Sequence, residues 1–270
     1  MLIKAYVITH KEQKMPVPAG FEPLLVGAQN HPEITCYKNR DNEGDNISAK
    51  NKNYCELTGI YWMWKNIKAD VVGLCHYRRF FSKASFGVRV EDYLDTDTIE
   101  QLMKDYDVIV PVRHYYEKSV IESETIAPDE ADMAELSRAI DIVSPEYRDV
   151  YDEFLHDNKV YFYNMCIMKK ELFDSYCEWL FSVLSFIEGD YDISDKDDYK
   201  ARIYGFISER LLKVWLMKNV EPSKIHEMRV VFSNNTALGK KKSELNNEFR
   251  NFKWSVRKAF NRMNNKNAKK

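Results

Sequence analysis

From Val71 to Cys75 the chain reads Val-Val-Gly-Leu-Cys, with no polar side chain and none of the alternation of a half-exposed strand. A β-rich run of this kind is covered on both faces, so it belongs at the centre of a sheet with layers above and below. Further candidate strands are residues 3–8, 34–37, 108–110, 160–168 and 230–232. Between them lie longer stretches with helical period. Tyr54, Leu57, Tyr61 and Trp64 follow Asn53-Tyr-Cys-Glu56, which has the pattern of a capping box. Residues 171–187 and 206–216 are apolar on most sides and predict buried helices, and residues 133–154 predict a helical hairpin broken at Pro145. Strands alternating with helices along one chain predict an α/β sandwich of Rossmann type with a central, mostly parallel sheet.

With 270 residues, 44% of them hydrophobic, the chain can bury one large core. The formal charge of -2 hides an asymmetry, because residues 240–270 carry 8 Lys and 3 Arg against 2 Glu. The expected division is therefore an acidic catalytic domain over residues 1–238 and a basic tail over 239–270. Leu245, Phe249, Phe252, Val256, Phe260 and Met263 form a helical stripe in that tail, flanked by Arg250, Lys253, Arg257, Lys258 and Arg262. A basic amphipathic helix over 245–263 suits an anionic membrane surface, and its regular stripe argues against a nucleic-acid arm. Cys36, Cys55, Cys75, Cys166 and Cys177 are odd in number and lack metal-ligand spacing, so they read as buried free thiols of a reducing compartment. The first residues read as a strand, not a signal peptide, and the chain contains no run of about 18 apolar residues. The expectation is a cytoplasmic protein held peripherally at the inner face of the plasma membrane.

Ligands of open α/β sheets collect beyond the carboxyl ends of the central strands. The central strand ends in His76-Tyr77-Arg78-Arg79, planar cationic donors that suit a pyrophosphate, unless both arginines simply pair with the acidic body. The first strand ends in Thr9-His10-Lys11, which could meet a base or a phosphate. The loop holding Asp45, Asn46 and Lys50 could hold a ribose or sugar hydroxyl, or be an ordinary turn into the next helix. Asn164 follows the strand at 160–168, and Glu209 and Arg210 begin a late helix, where a carboxylate in an apolar setting could accept a proton. Enzymes of nucleotide sugars often hold a divalent metal with Asp-x-Asp after a strand. Here the matches at residues 95–97, 105–107, 190–192 and 195–197 are poorly placed, and His76-Tyr77-Arg78 stands where the motif would. No cofactor is expected, with Mn or Mg as the alternative; fixed positive side chains would supply the metal's charge.

The stretches YVITHKEQKMP, GDNISAKNKNYCELTGIYWMWKN, DVVGLCHYRRFF, YDVIVPVRHYY, YNMCIMKKELFDSYCEWLF and GFISERLLKVWL, in this order, resemble the family called domain of unknown function 4422, found among bacterial capsular and exopolysaccharide glycosyltransferases. The resemblance implies a GT-A-like fold and transfer from a UDP-sugar, with some relatives acting as galactofuranosyltransferases. It implies that His76, Arg78, Arg79, Asp45, Asn46, Asn164 and Glu209 line the site. The chain departs from the family at SVIESETIAPDEADMAEL, where relatives carry a histidine-rich stretch, so a different acceptor or donor sugar is the expectation if that stretch reads the acceptor. The expected reaction is inverting transfer of a hexose to a lipid-linked oligosaccharide or polysaccharide. Arg78 would stabilise the leaving diphosphate, Glu209 would act as base and Asp45 stands in reserve; Thr9, His10, Lys11, Asn46, Lys50, His76, Tyr77, Arg79, Asn164 and Arg210 are expected on the donor. The alternative is a non-catalytic nucleotide-sugar or glycan-binding component of a membrane-bound assembly complex.

Overall fold

The computed structural model describes residues 1–86, 89–123 and 127–233, together with Phe249, Phe252, Lys253 and Val256. The chain opens with β1 (Ile3–Thr9), β2 (Phe21–Leu25) and β3 (Asn39–Arg40), followed by a helix in two pieces, α1 (Asn51–Tyr54) and α2 (Leu57–Asn66). Next come β4 (Val71–His76), β5 (Arg79–Phe81), α3 (Thr96–Leu102), β6 (Val108–Pro111) and β7 (His114–Tyr115). The expected hairpin is α4 (Glu130–Val143) and α5 (Arg148–His156); β8 (Lys159–Val160) and β9 (Ile167–Lys169) follow. The long buried helices are α6 (Lys170–Asp190) and α7 (Ile203–Asn219), and β10 (Ile225–Met228) and β11 (Val230–Phe232) complete the sheet.

The main path of the sheet runs β10-β6-β9-β4-β1-β2-β3. Strands β4, β1, β2 and β3 are mutually parallel, as are β6 and β10, whereas β9 is inserted antiparallel between β4 and β6. The mostly parallel α/β sandwich is therefore present, and β4 is central with all six residues buried. On one face Tyr6, Leu24, Val72 and Leu74 pack with Ile60, Met63, Leu180, Leu184 and Ile207 from α2, α6 and α7. On the other, Val7, Val71, Cys75 and Ile167 pack with Phe80, Tyr93, Ile99 and Met103. This two-sided burial explains why β4 has no polar alternation.

Several expectations are corrected. Residues 34–37 are not a strand; the strand beside β1 is β2, where Pro23 obscured the pattern. Proline is tolerated there because β3 pairs only with Leu24 and Leu25, leaving Pro23 on an open edge. Residues 160–168 are not one strand but β8 and β9 separated by a turn at Tyr163 and Asn164. The capping box also fails: Asn53 donates to Ala201 O at 2.8 Å, and the helix breaks at Cys55. Among the cysteines Cys36 is exposed and Cys55 half-buried, while the other three are buried; all five are free. Of the apolar tail stripe, Phe249, Phe252 and Val256 are helical and exposed, and its other members lie outside the described residues. Among the described residues no helix is long and apolar enough to cross a membrane.

Gly73 lets β9 approach β4, since a Cβ there would lie 2.5 Å from Ile167 Cγ1 and 2.9 Å from its Cα. Contact with the Ile167 backbone prevents simple side-chain relief. Gly73→Ala is expected to cost about 1–3 kcal/mol in urea unfolding, as overpacked cores do; an unchanged midpoint would contradict this packing.

Candidate active site

Strand β1 is followed by β2 on one side, while β4 lies on its other side, so the chain departs in opposite directions from neighbouring strand ends. Such a switch point opens a crevice at the carboxyl edge. A cleft of about 320 Å³ occupies it, lined by Thr9 and His10 after β1, Asn51, Lys52, Cys55 and Glu56 around the helix break, His76 to Arg79 after β4, and Arg202.

The cleft is electropositive. Among the described residues neither Arg78 nor Arg79 has a carboxylate within ion-pair distance, so the pairing that would have consumed them is not made. The Arg79 guanidinium lies 4.6 Å from the Tyr163 ring centroid and 5.6 Å from that of Phe232, and its Nε is buried with no hydrogen-bond partner among the described residues. Burial first, and then the charge of Arg78, lowers the pKa of Arg79. Arg202 donates from Nε to Cys55 Sγ at 3.1 Å, adding a third guanidinium to the cleft. Lys52 is paired with Asp198 at 3.1 Å. His10 packs edge-on to Tyr77; burial and then Lys11, His31, Arg202 and Arg78 depress its pKa, so it is neutral at pH 7. Lys11 lies 5.3 Å from the Tyr77 ring, and Thr9 is buried, with its hydroxyl donating to Lys11 O.

Glu56 is the one carboxylate among the described residues lining the cleft. It arrives there because Cys55 adopts a positive φ of 53° that separates α1 from α2. Asn164 Nδ2 donates to Glu56 Oε1 at 2.7 Å, and Ser208 Oγ donates to Asn164 Oδ1 at 3.0 Å. Tyr163 and Asn164 are the other two non-glycine residues of positive φ among the described residues, at 81° and 49°. Each such conformation costs on the order of 1–3 kcal/mol, and all three lie at this site, held by their bonds. His76 is buried, and burial first depresses its pKa; its Nε2–H donates to Tyr163 O at 2.7 Å, a tautomer dictated by the carbonyl acceptor. Glu209 Oε1 accepts from Tyr163 N at 2.7 Å. Burial, with repulsion from Glu56, raises the Glu209 pKa to about 7 against the pull of Arg210 and Arg79.

Thr9, His10, His76, Tyr77, Arg78 and Arg79 are thus brought to one cleft, with Asn164 and Glu209 bonded into its wall. Other expected residues are elsewhere. Asp45 accepts from Tyr61 Oη, and its backbone is bonded to Asn66, at the far end of the ten-residue α2 from Glu56, about 15 Å away along the axis. Asn46 bonds Gly44 O and Ser48 N within its own turn. That loop is pinned by buried Asp41, which accepts from Gly27 N, Ala28 N and Ser48 Oγ. Lys50 turns to Glu188 at 2.6 Å, and Arg210 lines a different cavity. Glu56 and Arg202 were missed: one was hidden in an apparent capping box, the other followed a polar loop.

A divalent cation requires several oxygen ligands. The cleft offers Glu56 among guanidinium groups, a donor set that does not fit one. The Asp-x-Asp candidates are engaged elsewhere: Asp95 caps α3 through Thr98 N, Asp107 pairs with Lys169, Asp190 with Arg138, and Asp197 accepts from Tyr199 N.

The family model described as a domain of unknown function (DUF4422) matches residues 4–220, and the chain belongs to that family. Its fold is similar to part of the WbbM bifunctional glycosyltransferase in an apo structure, with TM-score 0.76 and 30% identity over 87% of this chain and 46% of that one. The chain thus spans about half the length of that protein. The mannosyltransferase Ktr4p from S. cerevisiae is also similar, at 11% identity and TM-score 0.37, over 87% of this chain and 72% of that one. No curated protein matches.

The raised Glu209 pKa has a sign. Between pH 4.5 and about 7 the folded state retains a proton that the unfolded chain has released, so this group lowers stability progressively as pH rises through that window. Glu209→Gln, which keeps the acceptor for Tyr163 N, is expected to be more stable than wild type by about 3 kcal/mol at pH 8 and nearly equal at pH 4.5. Parallel urea denaturation curves at the two pH values would contradict the assignment.

Proposed function

We propose that this chain is a glycosyltransferase that moves a hexose from a UDP-sugar to a lipid-linked or polysaccharide acceptor during cell-surface polysaccharide assembly. The observation that carries the reading is the pair Arg78 and Arg79, unpaired with carboxylates among the described residues and facing a cleft at the exit of the central strand. Similarity to WbbM supports the reaction class, and the resemblance to capsular enzymes supports the setting.

The donor diphosphate lies against Arg78 and Arg79, with Arg202 across the cleft. As the bond from the anomeric carbon to the diphosphate oxygen breaks, its electron pair moves onto UDP, and the fixed guanidinium charges stabilise it. They take the part that a divalent cation plays in other enzymes of nucleotide sugars. The acceptor oxygen bonds to the anomeric carbon from the opposite face, and its proton passes to a carboxylate, giving inversion. Glu56 is the better base because it lines the cleft; Glu209 lies behind the Tyr163 backbone. Asn164 and His76 hold the wall in place, and neutral His10 with Tyr77 offers a planar surface to the donor. The basic tail beyond residue 238 would hold the catalytic domain at an anionic leaflet, with Phe249, Phe252 and Val256 entering it.

Arg78→Ala and Arg79→Ala are each expected to lower kcat/KM for UDP-sugar turnover by ~10²- to 10³-fold. Glu56→Gln should lower kcat by ~10²- to 10⁴-fold with little change in UDP affinity. Turnover should persist in excess EDTA. Binding of UDP-sugar without hydrolysis or transfer would leave only a binding protein, and complete loss in EDTA restored by manganese would overturn the cationic mechanism. Truncation after Leu238 is expected to abolish cosedimentation with vesicles of anionic phospholipid; unchanged binding would remove the tail from that role.

A further inference from the structure

A second cavity, of about 460 Å³, lies among α4, α5, the segment following β7 and the buried Arg210 of α7. This is within the size range of small-ligand sites. Arg210 is 5% exposed at its side chain, and the Glu209 carboxylate lies 3.6 Å away, beyond hydrogen-bond distance. Its remaining contacts are the Phe206 carbonyl at 2.9 Å and the Tyr116 hydroxyl at 3.4 Å. Beside it the Tyr151 hydroxyl is fully buried and has no hydrogen-bond partner among the described residues. An unmatched buried hydroxyl costs about 1–3 kcal/mol, a local cost that the packed wall around Arg210 sustains.

We propose that this cavity is a saccharide-binding site that seats neutral hexose residues of the acceptor glycan. The inference rests on the glycosyltransferase reading for its biological sense, but its chemistry is separate. Arg210 offers guanidinium donors at the inner wall. Glu130 lines the cavity too, where it accepts hydrogen bonds from sugar hydroxyls, and its charge, with those of Glu122 (bonded to Ser119) and Asp129 (bonded to Asp132 N), repels phosphates or sugar acids. Val120, Met133 and Leu155 supply the apolar surface that covers C–H faces of a pyranose or furanose ring. An aromatic series joins the cavity to the cleft: Tyr116 to Phe162 at 6.2 Å, Phe162 to Tyr163 at 6.1 Å, and Tyr163 under Arg79. Glu209, behind the catalytic cleft, is the chain neighbour of Arg210. A glycan seated here would therefore lie next to the wall that carries Glu56.

Saturation-transfer NMR with neutral trisaccharides of galactose, glucose and mannose, run beside calorimetric titration with UDP, tests this directly. At least one trisaccharide should bind wild type. Ala134→Trp, which places an indole in the cavity mouth, and Arg210→Met should each weaken it by about tenfold or more. Circular dichroism confirms that the variants are folded, and Ala134→Trp should retain wild-type UDP affinity. The proposal is overturned if UDP binds and no trisaccharide does, if both folded variants bind trisaccharide like wild type, or if inorganic phosphate displaces it. Should UDP fail to bind while trisaccharide binding still depends on Ala134 and Arg210, the nucleotide reading of the cleft fails and the saccharide site stands.

Discussion

The hydrogen bond from His76 Nε2 to the Tyr163 carbonyl joins the end of the central strand to the turn preceding its antiparallel neighbour. On one side of that bond the chain continues into Arg78 and Arg79. On the other, Tyr163 lies against the Arg79 guanidinium and bonds Glu209 through its amide, while Asn164 orients Glu56. A neutral His76 is required for burial here, and burial is what keeps it neutral. Guanidinium groups and carboxylates are thus gathered around one hydrogen-bonded crossing of backbone segments.

The cost of that arrangement is local. Cys55, Tyr163 and Asn164 hold backbone angles that L-residues rarely adopt, and each is anchored: Cys55 by Arg202, Tyr163 by His76 and Glu209, Asn164 by Glu56, Ser208 and Gly205. The two tightly packed faces of the sheet supply the stability that such strain consumes. A carboxyl group at Glu209 that retains its proton near neutrality belongs to the same compromise, because burial behind the cleft is achieved at the expense of its charge.

Much of the frame was legible from residue pattern. The unalternating run at Val71 to Cys75 located the central strand because two-sided burial leaves no place for polar side chains. It thereby located His76 to Arg79, since polar residues at the end of such a strand must face a crevice. The long helices were equally readable from their apolar density. Less legible was everything set by backbone angle. The break at Cys55 carries no glycine or proline, so the residues around it read as one capped helix and Glu56 as its cap. Asn164 offered a signal that was passed over, because asparagine tolerates the left-handed region better than most residues and marks a turn inside an apparent strand. Asp45 and Asn46 misled for the opposite reason: a polar loop composition is the same whether its side chains meet a ligand or, as here, the Tyr61 hydroxyl and the loop's own backbone.

The guanidinium pair at the exit of the central strand is where a nucleotide's phosphates are expected. A crystal structure of the protein with UDP is the most direct measurement. It should place diphosphate oxygens within hydrogen-bond distance of the Arg78 and Arg79 guanidinium groups, with the Arg79 Nε donor satisfied and Glu56 open to the acceptor side. Diphosphate bound in the cavity beside Arg210, or UDP in the cleft with both arginines turned away from it, would contradict the claim on which the mechanism is built.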